Sequence, residues 1–397
     1  MTDYQIQGWC PGALRPMASG DGLVLRVRAP NGRLEPDQAR RIAELARRHG
    51  NGLIDLTSRA NLQLRGLDRQ SHTAAITALA EMGLLDRDAD AESRRNVVLS
   101  PFAPVDGPAW QLAEAIARAM TASDAPRTPG KFGFAVDTDP WVLGGVPCDI
   151  RLRPVGAGWQ IAPDGGDWVI AAPDTARAAT GAVEMARWFA QGGIRDGRGR
   201  MRDYLRRKPE LPAGATPVPQ PAPHAAPDPC PGAAPNGWML GFAFGQITPD
   251  QLIACADAGP LRLTPWRMLL IEGAVAPPAI AGQVLAPDDP LLRVHACTGA
   301  PGCPQARADV RALARELAPH LGAGQSLHLS GCAKGCAHFG RADLTVIATA
   351  PDRFDLIRDG WVHDAATGDG LDKNGLARLL ASPQNTASAT RQGRPHA

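Results

Sequence analysis

The chain has 397 residues, 44% of them hydrophobic, and its 42 Lys and Arg against 40 Asp and Glu leave a formal net charge of +2. That balance offers no basic footprint for nucleic acid, and no run approaches the ~18 uninterrupted apolar residues of a membrane span. At about 100–200 residues per domain, two to four domains are expected.

The N-terminal stretch "MTDYQIQGWCPGALRPMASG" lacks the basic and apolar regions of a secretory signal. A cytoplasmic protein is therefore expected. In a reducing compartment, spaced cysteines are metal ligands or catalytic groups more often than disulfides. Cys10 stands in Pro- and Gly-rich surroundings, the mark of a shaped loop, which reads equally as a site loop or a plain turn. Only Lys131, Lys208, Lys334 and Lys373 are lysines. The other basic groups are arginines, whose planar fork suits carboxylates.

Next comes "GRLEPDQARRIAELARRHGNGLIDLTSRANLQLRG", read as strand, G-x-L/I-x-P-D-Q, amphipathic helix and strand. Pro36 suits a first helical turn, where a missing N–H costs little. In the closing strand Arg59, Asn61, Gln63 and Arg65 fall at spacing two, on one predicted face. Such a polar face is either a solvated sheet surface or a ligand platform. "SRRNVVLSPFAP" then leads Arg94, Arg95 and Asn96 into an apolar run, and "RTPGKFGFAVD" sets Lys131 on a Pro-Gly loop before a strand. "CDIRLRPVGAGWQIAPDGG" reads as a hairpin after Asp149.

Between Pro209 and Pro235 lie ten prolines mixed with alanine. This composition predicts an extended linker. Beyond it the pattern repeats. "GQITPDQLIACADAGPLRLTPWRMLLIEG" has the same P-D-Q helix start, with Pro249 in the first turn and Thr248 and Gln251 as a capping box. "ADVRALARELAPHL" is a second amphipathic helix, and "ADLTVIATAPDRFDLIRDG" a second hairpin, after Asp343. An internal duplication with pseudo-two-fold symmetry follows, in an α+β fold whose cleft would take one large ligand. The tail from about Ser382 is polar and predicted to fray.

Four cysteines group as Cys297-x5-Cys303 and Cys332-x3-Cys336, about 29 residues apart. Structural zinc prefers tighter C-x2-4-C knuckles. An iron–sulfur cubane needs four thiolates around a larger object and accepts wider spacings. Glycines at 299, 302, 331 and 335 would let backbone N–H groups approach sulfur. From spacing alone, a cluster, zinc and no metal at all remain open. The basic motifs upstream add a cationic cleft for a polyanion beside a redox centre.

Taken in order, these motifs resemble the sirohaem-dependent nitrite and sulfite reductase superfamily. T-x-R-x-x-x-Q falls on Thr57, Arg59 and Gln63; N-R-N-V on Arg94 to Val97; P-x-K-F on Pro129, Lys131 and Phe132; and the two cysteine pairs follow. The resemblance implies a duplicated architecture of two ferredoxin-like half-domains and two α/β domains that bind cluster and tetrapyrrole. It implies a 4Fe-4S cluster on Cys297, Cys303, Cys332 and Cys336, and basic side chains that hold tetrapyrrole carboxylates.

Three departures sharpen the resemblance. Gly133 replaces the reductases' second lysine, removing a cation where an oxyanion substrate would need it. The cluster loop reads S-G-C-A-K-G-C-A-H, and an N-terminal C-P-G-x-x-x-P-M-x-x-G-D-G is present. These features are similar to the precorrin-3B synthases, the oxygen-dependent branch of the superfamily. That likeness implies hydroxylation of precorrin-3A by O2 in aerobic cobalamin biosynthesis. Arg59, Gln63, Arg65, Arg94, Arg95, Lys131 and Lys334 become the expected substrate contacts, with Arg59, Asn61 and Lys131 the catalytic candidates. It also implies a mononuclear non-haem iron, for which His338 and His295 are the candidates. An external electron donor is expected, NADH through a partner protein. No G-x-G-x-x-G opens a βαβ unit on this chain. The alternative is a sirohaem-dependent, ferredoxin-coupled nitrite or sulfite reductase, and the internal duplication makes a monomer sufficient.

The expected division is a first half-domain at 1–70, a tetrapyrrole-cleft domain at 71–208, the linker at 209–236, a second half-domain at 237–283, a cluster domain at 284–381 and a tail at 382–397.

Overall fold

The computed structural model describes residues 11–218, 229–338 and 340–380. Cys10, the middle of the proline-rich run and the tail lie outside the described residues.

The repeat read from the sequence is a repeat of structure. Helices Pro36–His49 and Pro249–Asp257 both begin with proline, and both carry a capping box, Glu35 with Gln38 and Thr248 with Gln251. These pairs satisfy N–H groups that a helix start leaves orphaned. Before each helix runs a three-residue turn, Pro30–Gly32 or Ala243–Gly245. Its middle residue, Asn31 or Phe244, takes a φ of 50° or 60°, and the glycine after it 69° or 66°. Two successive left-handed residues reverse the chain sharply, and the second position favours glycine.

Between turn and helix lies a two-residue strand, and it crosses to the other half. Arg33–Leu34 pairs with Leu261–Leu263 of the second half, and Gln246–Ile247 pairs with Ile54–Leu56 of the first. The first sheet therefore runs Met17–Ser19, Gly22–Val27, Leu62–Leu67, Ile54–Leu56 and then the borrowed Gln246–Ile247. Its counterpart runs Gly232–Ala234, Gly237–Phe242, Leu269–Glu272, Leu261–Leu263 and then Arg33–Leu34. One core fills both, with Ile42, Leu64, Leu252 and Ile271 all fully buried in it. Burial of each such side chain stabilises by about 1.5–3 kcal/mol, and because these residues come from both halves the two half-domains share one core. Helix Arg69–Glu81 packs on Gly22–Val27 and Leu62–Leu67, which carries the first half-domain past residue 70.

The two remaining sheets share one topology. Val97–Leu99, Phe134–Val136 and Ile150–Val155 run parallel, then Gly158–Pro163 and Trp168–Ala172 return antiparallel. Val294–Ala296, Leu327–Ser330 and Ala342–Ala350 repeat this, followed by Arg353–Gly360 and Gly368–Leu371. Helices Pro108–Thr121 and Val310–Leu317 make the corresponding crossovers. The predicted hairpins are present in both halves. The two ends of the proline-rich run are extended but join sheets instead of hanging free: Thr216–Pro217 adds to Trp168–Val169, and Gly232–Ala234 pairs with Gly237–Met239.

Candidate functional site

The cysteine loops leave the C-terminal ends of neighbouring parallel strands, where ligands gather in α/β sheets. Cys297 follows Val294–Ala296, and Cys332 follows Leu327–Ser330. All four cysteines are free thiols. Gly331 donates its N–H to the Cys297 sulfur at 3.2 Å, and the Gly299 N–H also favours the thiolate there. A Cβ at Gly331 would meet that of Ala306 at 2.6 Å, and Gly335 holds a φ of 66° against Val362. These glycines let the backbone close around the sulfurs.

Burial pushes the Cys297 thiol up, with Cys303 and Cys332 adding to it. Cys336 is pushed up to about 11, by burial first and by the three other thiols, against Lys334. The four sulfurs thus feel one another. Yet among the described residues no three His, Cys, Asp or Glu side chains converge tightly enough to hold one metal ion. A zinc site needs all its donors ~2–2.3 Å from one point. The larger 4Fe-4S cubane does not need such close convergence, and the Cys297 sulfur already has two N–H donors.

His295 and His328 sit directly opposite each other on adjacent strands. His338 stacks on His295 with ring centroids 4.5 Å apart and 15° between planes, and meets His328 edge-on at 5.8 Å. Imidazole ligates through lone pairs in the ring plane, so face-to-face stacking places no metal between His295 and His338. Burial, then His338 and Arg267, lowers His295 to about 3 and His328 to about 4. His328 is wholly buried and was missed in the sequence, where "LHLSG" looks like ordinary strand alternation.

The predicted four-residue polar face is shorter than expected. The strand spans only Leu62–Leu67. Arg59 belongs to the turn before it, where the Asn61 N–H bonds to the Thr57 hydroxyl at 3.1 Å and Ala60 takes a φ of 52°. A threonine that bonds two to four residues ahead favours such a turn over an extended strand. Arg59 donates to the Lys131 carbonyl at 3.0 Å, so those two predicted residues do meet, with Lys131 exposed. Gln63 lies between Arg26 on one neighbouring strand and Asp55 on the other.

Arg65 is buried and committed internally. It binds Asp21 through two bonds of 2.8 and 2.9 Å, and reaches Asp55 and the Gly302 carbonyl. Arg94 donates to the Met120 and Ala122 carbonyls at the end of Pro108–Thr121. Arg95 makes a forked pair with Asp86 at 2.7 and 2.9 Å, yet still lines the cleft. Two shallow adjoining hollows, open to solvent, share Asn61, Arg95 and Val97. Arg28 lines the first, Arg59 and Gly133 the second. Buried Arg28 is lowered to about 10 by burial, then by Arg26 and Arg95, against Glu92. Alternation in "LVLRVRAP" carried the signal for Arg26 and Arg28, but two arginines at a strand end read equally as a solvated edge.

Residues 15–82 match the family described as the nitrite/sulfite reductase ferredoxin-like half domain. The chain is 28% identical to a precorrin-3B synthase from Sinorhizobium sp, over 94% of this chain and 87% of that protein. It is 35% identical to the ferredoxin–nitrite reductase of Leptolyngbya laminosa, but over only 26% of this chain and 20% of that one. The solved structure of the Mycobacterium tuberculosis NirA protein superposes with a TM-score of 0.67 at 18% identity, covering 94% of this chain and 82% of that chain. These likenesses and the paired sheets establish a nitrite/sulfite reductase-like fold.

Proposed function

We propose that this chain, a protein of nitrite/sulfite reductase-like fold that resembles precorrin-3B synthase over nearly its full length, hydroxylates precorrin-3A with O2. One observation carries the reading. A polar row, Arg26–Gln63–Asp55, crosses three adjacent strands, begins two residues before Arg28 of the first hollow and reaches the cysteine loops through Arg311, which bonds both Asp55 and the Cys297 carbonyl. At ~4.8 Å per strand, the row spans roughly 10 Å. A polyanionic macrocycle over this row would meet buried cations at one end and a redox centre at the other.

The substrate carries eight carboxylates. Arg28, Arg59, Arg95 and Lys131 would bind them, with Lys334 contributing from the cluster loop. Asn61, whose side chain makes no hydrogen bond among the described residues, and Gln63 would orient the macrocycle. Arg65 and Arg94 hold the frame instead of the ligand. Buried guanidiniums that repel one another are relieved when a carboxylate enters, so charge neutralisation and orientation come together.

In the reaction, one atom of O2 forms the new C–O bond at the C20 meso carbon. The other leaves as water with two electrons from an external donor and two protons. A ring-A acetate then closes the γ-lactone. Cys297, Cys303, Cys332 and Cys336 would hold the 4Fe-4S cluster, which supplies electrons singly when bound. For the mononuclear iron that the resemblance implies, the residues do not fit: among the described residues no three ligating side chains converge. No step is assigned to it. NADH through a partner protein is the expected electron source.

The sirohaem reductase is the second reading. Gly133 weighs against it, because a Cβ there would lie 3.0 Å from the Asn96 carbonyl, so that a lysine could enter only by displacing that backbone. The visible spectrum of the purified protein tests the choice. A brown spectrum bleached by dithionite supports the oxygenase reading, and a sirohaem Soret band with a red charge-transfer band overturns it.

A further inference from the structure

Asp55 lies on Ile54–Leu56, a core strand of the first half-domain, and is nearly buried. Its carboxylate gathers three donors from separate parts of the chain. Arg311 of Val310–Leu317 donates at 3.1 Å. Gln246 on the borrowed strand donates at 3.2 Å, and Arg65 on Leu62–Leu67 at 3.4 Å. Each arginine then reaches one end of the same loop. Arg311 donates to the Cys297 carbonyl at 3.2 Å, and Arg65 to the Gly302 carbonyl, beside Cys303, at 3.1 Å. Ser19 reinforces the second end, its hydroxyl donating to the Gly302 carbonyl at 2.7 Å.

We propose that Asp55 is the positioning residue of the Cys297–Cys303 loop, clamping both its ends through Arg311 and Arg65, and that this charge network tunes the reduction potential of the cluster bound there. The proposal rests on the cluster assignment above. The loop belongs to the second half of the chain, and most of its clamp to the first. A cubane tolerates little error in the placement of its thiolates, and N–H groups aimed at Cys297 work only while the loop is held. The same network is electrostatic. Two guanidiniums face the carboxylates of Asp55 and Asp21, and Arg65 is paired with both. Removing the Asp55 charge leaves uncompensated positive charge beside the cluster and favours the reduced state. Removing the Arg311 charge does the reverse.

The test uses full-length protein purified without oxygen, as wild type, Asp55→Asn and Arg311→Gln. Iron and sulfide per chain are measured, then a redox titration is followed by electron paramagnetic resonance, with thermal midpoints as a check on folding. The expected result is a more positive midpoint potential for Asp55→Asn, a more negative one for Arg311→Gln, and faster loss of iron to a chelator in both. A merely structural contact would not shift the potential in opposite senses. If Asp55→Asn fails to fold, the sign of the Arg311→Gln shift alone decides. Wild-type potential and iron retention in the folded variants would overturn the proposal while leaving the cluster standing. Wild-type protein without iron and sulfide would overturn the cluster assignment, and the proposal with it.

Discussion

The buried Glu92 carboxylate accepts the backbone N–H of Ala13, 79 residues earlier in the chain, and that of Leu14 at 3.1 Å. Gly12 makes this possible, because a Cβ there would lie 2.4 Å from a Glu92 oxygen. The Ala13–Leu14 segment is thus fastened to Ala89–Arg94, the helix that leads into Arg95. Arg28 adds to the knot by donating to the Glu92 carbonyl.

Replacing Glu92 with alanine leaves one buried and one part-buried N–H group without a partner. Each costs about 1–3 kcal/mol, so a loss of about 3 kcal/mol is expected in urea denaturation. Faster hydrogen exchange over residues 11–16 should accompany it. Gly12→Ala should act in the same direction by displacing the carboxylate.

Lysine at position 133 should not recover a reductase. Overpacking against Asn96, whose side chain bonds the Gly130 and Phe132 carbonyls at 3.1 and 3.0 Å, should cost about 1–3 kcal/mol. Gly133→Lys should show no nitrite or sulfite turnover with reduced methyl viologen, together with a lower thermal midpoint.

Among the described residues buried His328 has both ring nitrogens without a hydrogen-bond partner, and its folded pKa is lowered to about 4 from an ordinary 6.5. It faces His338, His295 and Arg267. The fold holds it neutral while the unfolded chain takes up a proton below pH 6.5. Its contribution to stability is therefore intact above pH 6.5 and falls as pH drops toward 4, by about 3 kcal/mol in all. His328→Leu should keep its stability at pH 7.5 and lose less of it by pH 5 than wild type, measured by denaturant midpoints. Part of the acid loss should remain, because His295 is lowered as well.

Lys131 is exposed, so truncating it should leave stability within about 0.5 kcal/mol. If it binds a substrate carboxylate, Lys131→Ala removes a charged hydrogen bond of about 1.5–3 kcal/mol. Steady-state kinetics with precorrin-3A should then show kcat/KM lower by roughly 10- to 100-fold. Arg65→Ala should show the contrary pattern, a loss of about 3–5 kcal/mol in stability, because its partners are all internal.

The duplication was legible because two P-D-Q helix starts and two hairpins repeat in order. The exchange of Arg33–Leu34 and Gln246–Ile247 between halves was not, since two residues carry no periodicity. Cysteine spacing marked the two loops, and Gly331 and Gly299 beside them aim N–H groups at the Cys297 sulfur. Spacing did not tell which arginines are free for a ligand. Alternation put Arg59, Gln63 and Arg65 on one face, but a threonine-bonded turn takes Arg59 off the strand and buried carboxylates claim Arg65. Glu92, Asp55 and Arg311 were invisible for a related reason. Each acts through a partner distant in sequence, and a lone charged residue carries no mark of whom it will meet.

The most direct test of the proposed reaction is incubation of the purified protein with precorrin-3A and an electron donor under 18O2, followed by mass spectrometry of the product. Incorporation of one 18O atom is predicted. A product formed without label would contradict the oxygenase reading.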